Sequence, residues 1–206
     1  MFILDRKAFS NNTAENIDAF VNCWSSFYNE TPGDVDGHPI NYLQELNLNK
    51  NLTEQNIQKL LRWKSPRHLT HENKDGKQNS KVKKSLKGIE TVNSFRNKQI
   101  TDNDFLDFTG TIFSNGFVYR AFLFHIARPA EYPIWDQHVA RVHARLTNGK
   151  ETVDWEHYEN YRIWFANLKI TLKIENELSV ENMQKTKRLD DALMAFGQFL
   201  MKYTID

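Results

Sequence analysis

Apolar residues recur through most of the chain at the spacing of three and four positions that is typical of amphipathic helices. The stretch 117–127 is apolar on nearly every side, which predicts a central helix that is buried all round. Strict alternation of apolar and polar residues, the pattern of a half-buried strand, is almost absent. The fold class is therefore predicted to be all-α. The predicted helices cover 13–29, 53–64, 84–97, 102–113, 117–127, 137–147, 155–167, 171–178 and 188–203.

Short local signals mark where several of these helices begin and end. Thr53 and Thr101 each precede a helical pattern, and a threonine hydroxyl in that position accepts backbone N–H bonds from the first turn. Asn148 and Gly149 are typical of a helix C-terminus. The residues Phe113-Ser114-Asn115-Gly116 form a predicted tight turn between two helices. A helix–turn–helix unit is therefore expected around 114–117.

Length and composition limit the class of protein. A chain of 206 residues with 40% hydrophobic residues can bury one core or two small lobes. It contains no apolar run near the length of a transmembrane helix, and its first residues are too charged for a signal peptide. Cys23 is the only cysteine, which excludes an internal disulfide, a cysteine zinc site and a four-cysteine iron–sulfur cluster. We expect a cytoplasmic protein without a membrane partner.

Charge is distributed unevenly along the chain, although the formal net charge is only +1. The segment 62–98 holds eleven Lys and Arg residues against three acids, so it carries +8 and the remainder about −7. A basic surface that meets phosphate groups is one interpretation. A solvated loop whose lysines keep it soluble is the other, and the sequence alone leaves both open.

The segment 133–146 reads Pro-Ile-Trp-Asp-Gln-His-Val-Ala-Arg-Val-His-Ala-Arg-Leu, and it joins an extended apolar stretch to a helix. Asp136 opens that helix, while Arg141 and Arg145 lie one turn apart along it. Asp is among the preferred N-cap residues, so a capping role alone explains its position. A carboxylate at a helix mouth followed by basic residues also suits chemistry on a polyanion. One carboxylate can serve both roles.

The middle of the chain resembles the helix–hairpin–helix DNA glycosylase superfamily, which includes endonuclease III. Gly116 lies 20 residues before Asp136, where the second hairpin glycine of endonuclease III falls. The segment 191–197 is similar to the Gln-Ala-Met-Met-Asp-Leu-Gly segment of the adenine mismatch glycosylase. The resemblance covers about 101–147, with further support at 188–200. The family pattern Asp-x-His-Val-x-Arg-Val-x-x-Arg-Leu is matched by Asp136, His138, Val139, Arg141, Val142, Arg145 and Leu146.

The resemblance implies a monofunctional enzyme. Ser114 stands where the family has its first hairpin glycine, and Val118 stands where bifunctional members carry a Schiff-base lysine. No lysine occurs between Lys98 and Lys150, so amine attack on the sugar has no local candidate. The implied reaction is hydrolysis of the N-glycosidic bond of a flipped-out base, with Asp136 as the catalytic carboxylate and an abasic site as product. No cofactor is implied; a monovalent cation at the hairpin carbonyls is the one ion that the resemblance allows.

Further residues are candidates for substrate contacts. His138 and the two arginines of its helix either face DNA or have structural roles. Arg120 either binds a phosphate or pairs with an acid such as Asp104 or Asp107. Each aromatic candidate either lines a base pocket or packs in the core. The candidate DNA-binding residues are Asn115, Gly116, Val118, Arg120, His138, Arg141 and Arg145, and those for the base pocket are Trp135, Trp63, Tyr119, Trp24 and Phe196.

The expected architecture is a single glycosylase-like unit over 1–206 with two helical lobes. Residues 50–147 would form the central lobe with the hairpin near 114–117, and 1–49 with 148–206 the second lobe. Asp136 would lie in the cleft between them. The expected partner is double-stranded DNA, bound by a monomer that excises modified or mismatched bases in repair or modified phage bases in antiphage defence. The alternatives are a non-catalytic helix–hairpin–helix DNA-binding protein and a small helical interaction protein.

Overall fold

The computed structural model describes residues 13–28, 38–69 and 79–203, and for these residues the predicted all-α class is confirmed. They form ten α-helices and one 3₁₀ helix, Ser25–Phe27, and contain no β-strand. None of the described helices is long and apolar enough to cross a membrane. The α-helices are α1 Ala14–Trp24, α2 Tyr42–Glu45, α3 Glu54–Lys64, α4 Ser80–Lys87, α5 Ile89–Arg96, α6 Asp102–Ile112, α7 Phe117–Ala127, α8 Gln137–Thr147, α9 Trp155–Thr171 and α10 Val180–Tyr203.

Contacts between Cα atoms divide the described chain into two compact units. The first unit contains α1, α8, α9 and nearly all of α10, and the second contains α2 to α7. The chain passes from the second unit to the first at Pro133, whereas the boundary expected from the sequence lies at 147. The helix that follows Asp136 therefore belongs to the first unit. The described residues of the first unit are 13–28, 133–177 and 181–203, and those of the second are 38–69, 79–132 and 178–180.

The predicted helix starts at Thr53 and Thr101 are confirmed. Each threonine hydroxyl accepts the backbone N–H of the residue three positions later, and the side chain of that residue, Asn56 or Asp104, returns a bond to the threonine backbone. The predicted end at Asn148 is also confirmed, because this residue adopts the left-handed conformation with φ 59°. These ends depend on contacts within one turn, which the sequence encodes directly.

The helix predicted over 84–97 is wrong as a single element, because the structure has two helices that meet at Gly88. A Cβ at Gly88 would lie 2.2 Å from the ring of Phe108 on α6. The ring therefore packs directly on the backbone where α4 ends and α5 begins. The local pattern does not predict this break, which coincides with the packing of Phe108, a residue distant in sequence.

The helix predicted over 171–178 is also wrong. The chain leaves α9 through Lys173, which has φ 56°, and the N–H of Ile174 donates to the carbonyl of Lys169 at 2.8 Å. Lys169 is buried and its ammonium group donates to the side chain of Asn176 at 2.7 Å. This closure holds the segment as a loop up to α10, which begins eight residues earlier than predicted, at Val180.

The second unit is organised around stacked aromatic rings and one central arginine. Phe95 and Phe105 stack with 4.1 Å between ring centroids, and Phe124 contacts both edge-on. The guanidinium group of Arg96 donates to the carbonyls of Ile126 and Ala127 at the end of α7 and to those of residues 46 and 47. It thereby satisfies carbonyl groups that have no partner within their own helix.

Candidate functional site

Asp136 has the N-cap position of α8 that the sequence predicts. Its backbone is extended, and one carboxylate oxygen accepts the backbone N–H groups of His138 at 2.8 Å and Val139 at 3.1 Å. The residue is only 9% exposed. Two backbone donors and the positive end of the helix dipole hold the carboxylate in one place and favour its negative charge.

Asp136 belongs to a group of polar residues buried within the first unit, which we call the polar core cluster: Trp135, Asp136, His143, Tyr161 and Asp190. Each member is at most 9% exposed. The rings of Trp135 and Tyr161 lie 4.7 Å apart, and the ring of His143 contacts both. So many polar groups in a small helical core cost stability unless they are satisfied or serve a function.

Tyr161 is the most deeply buried member of the polar core cluster. Burial raises the pKa of its phenol well above the usual value of 10, and the negative charges of Asp190 and Asp136 add to the rise. The phenol therefore stays protonated. Neither its hydroxyl nor the indole N–H of Trp135 has a hydrogen-bond partner within the described residues. Both are donors that a native fold usually pairs.

Replacing Tyr161 with phenylalanine should stabilise the protein by about 1 kcal/mol, because the change removes a buried hydroxyl without breaking a hydrogen bond. Tyr158 is the matched control on the same helix: it is equally buried, but its hydroxyl donates to the carbonyl of Pro133 at 3.1 Å. Tyr158→Phe should therefore destabilise by about 1 kcal/mol. Urea unfolding of both variants measures the difference, and a Tyr161→Phe variant less stable than the wild type would contradict the prediction.

His143 gives the polar core cluster a pH-dependent stability. Burial lowers the pKa of its imidazole from 6.5 to about 4, and the charge of His157 contributes. The folded protein therefore binds fewer protons than the unfolded chain between these two values. The free energy of unfolding therefore has its full value above pH 6.5. It falls by up to about 3 kcal/mol as the pH decreases towards 4.

The corresponding prediction is that His143→Phe, which keeps an aromatic ring but does not titrate, flattens the loss of stability between pH 6.5 and pH 4. The free energy of unfolding in urea at a series of pH values measures the slope for both proteins. If the two slopes agree, His143 does not titrate as described.

The remaining candidates on α8 differ in how they are held. Arg141 donates to Glu151 at 2.7 Å and to the carbonyl of Gly197 at 3.3 Å, so its side chain joins α8 to other parts of the first unit. Its guanidinium group also lies 3.4 Å from the ring of His138. Arg145 is exposed. Of these three, Arg145 has the side chain that is most open to a ligand.

Gly197 on α10 lies against the first turn of α8. A Cβ added at Gly197 would lie 2.3 Å from the carbonyl oxygen of His138 and 2.6 Å from its carbonyl carbon. The two helices therefore meet backbone to backbone, which only glycine allows. Two of the segments on which the resemblance rests, 136–146 and 191–197, are in direct contact at this point.

The predicted base-pocket aromatics lie in different surroundings. Trp24 and Phe196 pack together in the first unit with ring centroids 4.9 Å apart, and Trp135 belongs to the polar core cluster. In the second unit, Trp63 packs between other rings, and the hydroxyl of Tyr119 lies 3.3 Å from that of Ser65. Phe196 and Trp63 are buried, and core packing accounts for them. Trp135 is buried in the polar core cluster, whereas Trp24 and Tyr119 are partly exposed.

The predicted turn between α6 and α7 is present in the second unit. Ser114 and Asn115 are exposed, and Gly116 is the N-cap of α7 with no side-chain cap. Gly116 has φ −109°, so the conformation here is open to other residues as well. Val118 lies in the first turn of α7 and is partly exposed.

Among the described residues, Arg120 forms no ion pair with Asp104 or Asp107, the two acids that the sequence suggested. Its guanidinium group donates to the carbonyl of Leu106 at 2.9 Å and lies 3.5 Å from the hydroxyl of Thr109. Asp104 instead forms the cap with Thr101. Arg120 thus holds the angle between α6 and α7, and so positions the turn that joins them.

Sequence reasoning missed Tyr161 and Asp190. The available signal was a carboxylate on the inward face of α10, since Asp190 follows the buried Leu189 and precedes the buried Leu193 by three positions.

No group of three or more His, Cys, Asp or Glu side chains that could hold a metal ion occurs in the described ranges. In comparisons with known proteins, no family model, no curated protein and no solved structure matches this chain.

Proposed function

We propose that the protein is a monofunctional DNA glycosylase of the helix–hairpin–helix superfamily, with Asp136 as its catalytic carboxylate. It hydrolyses the N-glycosidic bond of a modified or mismatched base and leaves an abasic site in double-stranded DNA. The two-lobe glycosylase fold, a monomeric state and a cytoplasmic location are parts of the same proposal.

The observation that carries the proposal is the setting of Asp136. Its carboxylate is held by two backbone N–H groups, and it lies in a buried cluster that also contains a second carboxylate and two donors for which the described part of the chain provides no partner. A helix cap alone does not require a buried phenol on which the charges of both Asp136 and Asp190 act. Clusters of this kind are typical of functional sites.

The chemistry requires one well-placed negative charge. Departure of the base leaves positive charge on C1′ of the deoxyribose in an oxocarbenium-like transition state. The Asp136 carboxylate stabilises that charge and accepts a proton from the attacking water, whose oxygen bonds to C1′. The base leaves with the electron pair of the broken bond and takes up a proton from solvent, and the proton on Asp136 returns to solvent, so one water is consumed for each base released. The target must first be extruded from the duplex, because C1′ is inaccessible within the stack.

Water is the nucleophile in this proposal because the chain has no lysine from 99 to 149. The position of the Schiff-base lysine in bifunctional relatives corresponds to Val118, which has no nucleophilic group. The abasic product should therefore remain uncleaved until alkali or heat is applied.

The direct test is incubation of the protein with a panel of duplex DNAs that contain mismatches or modified bases, followed by mass spectrometry of released nucleobases. Phage genomic DNA with modified cytosines belongs in the panel, and a plaque assay with the same phages tests the antiphage role. Release of a specific base with an alkali-labile site supports the proposal. Duplex binding without release of any base would instead assign the chain to the non-catalytic DNA-binding class.

A further inference from the structure

Three segments of the second unit form a surface that is basic and contains no acid. We call this surface, residues 65–69, 79–87 and 111–120, the basic arc. Helix α6 contributes only its C-terminal end to the basic arc, through the segment 111–120. Its acids, Asp102, Asp104 and Asp107, lie in its first two turns and outside the basic arc. The charged residues of the basic arc are Arg67, Lys81, Lys83, Lys84, Lys87 and Arg120.

Two lysines of α4 reach the segment that leads into the α6–α7 turn. The ammonium group of Lys84 donates to the carbonyl of Thr111 at 3.3 Å. The ammonium group of Lys81 lies 5.9 Å from the ring centroid of Phe113. These contacts place two positive charges beside a turn that presents Ser114 and its neighbour to solvent.

Side-chain hydrogen bonds connect the third segment to the same surface. The side chain of Asn79, which caps α4, donates to the carbonyl of His68 at 2.9 Å. The hydroxyls of Ser65 and Tyr119 lie 3.3 Å apart, which connects the 65–69 segment to the first turn of α7. Arg67 in that segment is exposed. The basic arc is therefore continuous from α4 to α7.

The lysines of α4 are available to a ligand. All four are exposed, and none forms an ion pair with any described carboxylate. No large hydrophobic side chain is exposed in the described part of this unit apart from residues 178 and 180, which lie outside the basic arc. Binding to a lipid surface would require apolar residues that insert. The combination of positive charge, hydroxyl and amide groups fits a chain of phosphates instead.

We propose that the basic arc binds the sugar–phosphate backbone of duplex DNA, so that α4 and the 65–69 segment extend the DNA contact beyond the turn between α6 and α7. This inference rests on the proposed function in its choice of ligand, but it requires no catalysis. Each lysine that neutralises a phosphate releases a counterion, so the contact is measurable through salt dependence.

The test compares two double variants of equal charge by fluorescence anisotropy with a 20-base-pair duplex. Lys81→Gln/Lys84→Gln should weaken binding roughly 10- to 60-fold at 0.1 M salt and reduce the slope of log K against log salt by about 2. The control, Lys50→Gln/Lys202→Gln, removes two exposed lysines outside the basic arc and should change affinity by less than about 3-fold. Equal losses in the two variants would overturn the proposal.

A second pair, Lys83→Gln/Lys87→Gln, keeps the contacts of Lys81 and Lys84, so a reduced salt slope in this variant supports the proposal even if the first variant unfolds. Tighter binding of an RNA duplex of the same sequence would overturn the choice of DNA.

Base release is measured separately on the wild type. Specific loss of binding in the arc variants without base release by the wild type would retain the basic arc and reject the glycosylase. Base release by the wild type with equal losses of binding in the arc and control variants would retain the glycosylase and reject the basic arc.

Discussion

Asp136→Asn should lower the rate of base release by roughly 10²- to 10³-fold while duplex binding and folding stay close to those of the wild type. Asparagine is as good an N-cap as aspartate, so its side-chain oxygen can still accept the N–H groups of His138 and Val139. The negative charge that would stabilise the oxocarbenium-like state is lost, and so is the proton acceptor for water. The substitution therefore separates the two roles of one side chain.

Asp154 provides a matched control within the same unit. It caps α9 with an extended backbone very similar to that of Asp136, and its carboxylate accepts the N–H of His157 at 2.9 Å. Asp154→Asn should leave base release unchanged. Single-turnover assays on the substrate identified by mass spectrometry measure both rates. Equal rates for Asp136→Asn and the wild type would reject Asp136 as the catalytic residue.

Gly197→Ala should destabilise the protein by about 3 kcal/mol, because the new methyl group would overlap the backbone of His138. The clash involves the carbonyl oxygen at 2.3 Å and the carbonyl carbon at 2.6 Å, and neither atom can turn aside as the end of a flexible side chain does. Relief requires α8 and α10 to separate. Because His138 lies in the first turn of α8, that separation should also displace Asp136 and lower base release.

Gly110 is the control for the intrinsic effect of alanine in a helix. It lies inside α6, and a Cβ there would meet only the end of the Arg120 side chain at 3.5 Å, an ordinary contact distance. Gly110→Ala should therefore stabilise by about 0.5–1 kcal/mol through helix propensity. Urea unfolding of both variants tests the contrast. A Gly197→Ala variant as stable as Gly110→Ala would show that the two helices do not meet as described.

The helix ends that sequence reasoning predicts correctly are those with a local capping signal. The caps at Thr53, Thr101 and Asp136 and the end at Asn148 each involve groups within a few residues of one another. The errors lie where other contacts compete with the helical pattern: the packing of a ring from another helix in one case, and a side-chain hydrogen bond across a loop in the other. The 84–97 helix is interrupted where Phe108 packs on Gly88, and the 171–178 helix is replaced by a loop next to the buried Lys169.

The same distinction between local signals and contacts from other helices applies to the candidate site. The sequence alone determined that the chain is helical, that Asp136 opens a helix, and that a turn joins α6 to α7, because spacing and capping act over one or two turns. Only the tertiary structure decided that the charges of Asp136 and Asp190 both act on the buried Tyr161, that Gly197 meets the first turn of α8, and that the lysines of α4 flank the turn. Each of these depends on how side chains from separate helices fill a common volume, which no local spacing encodes.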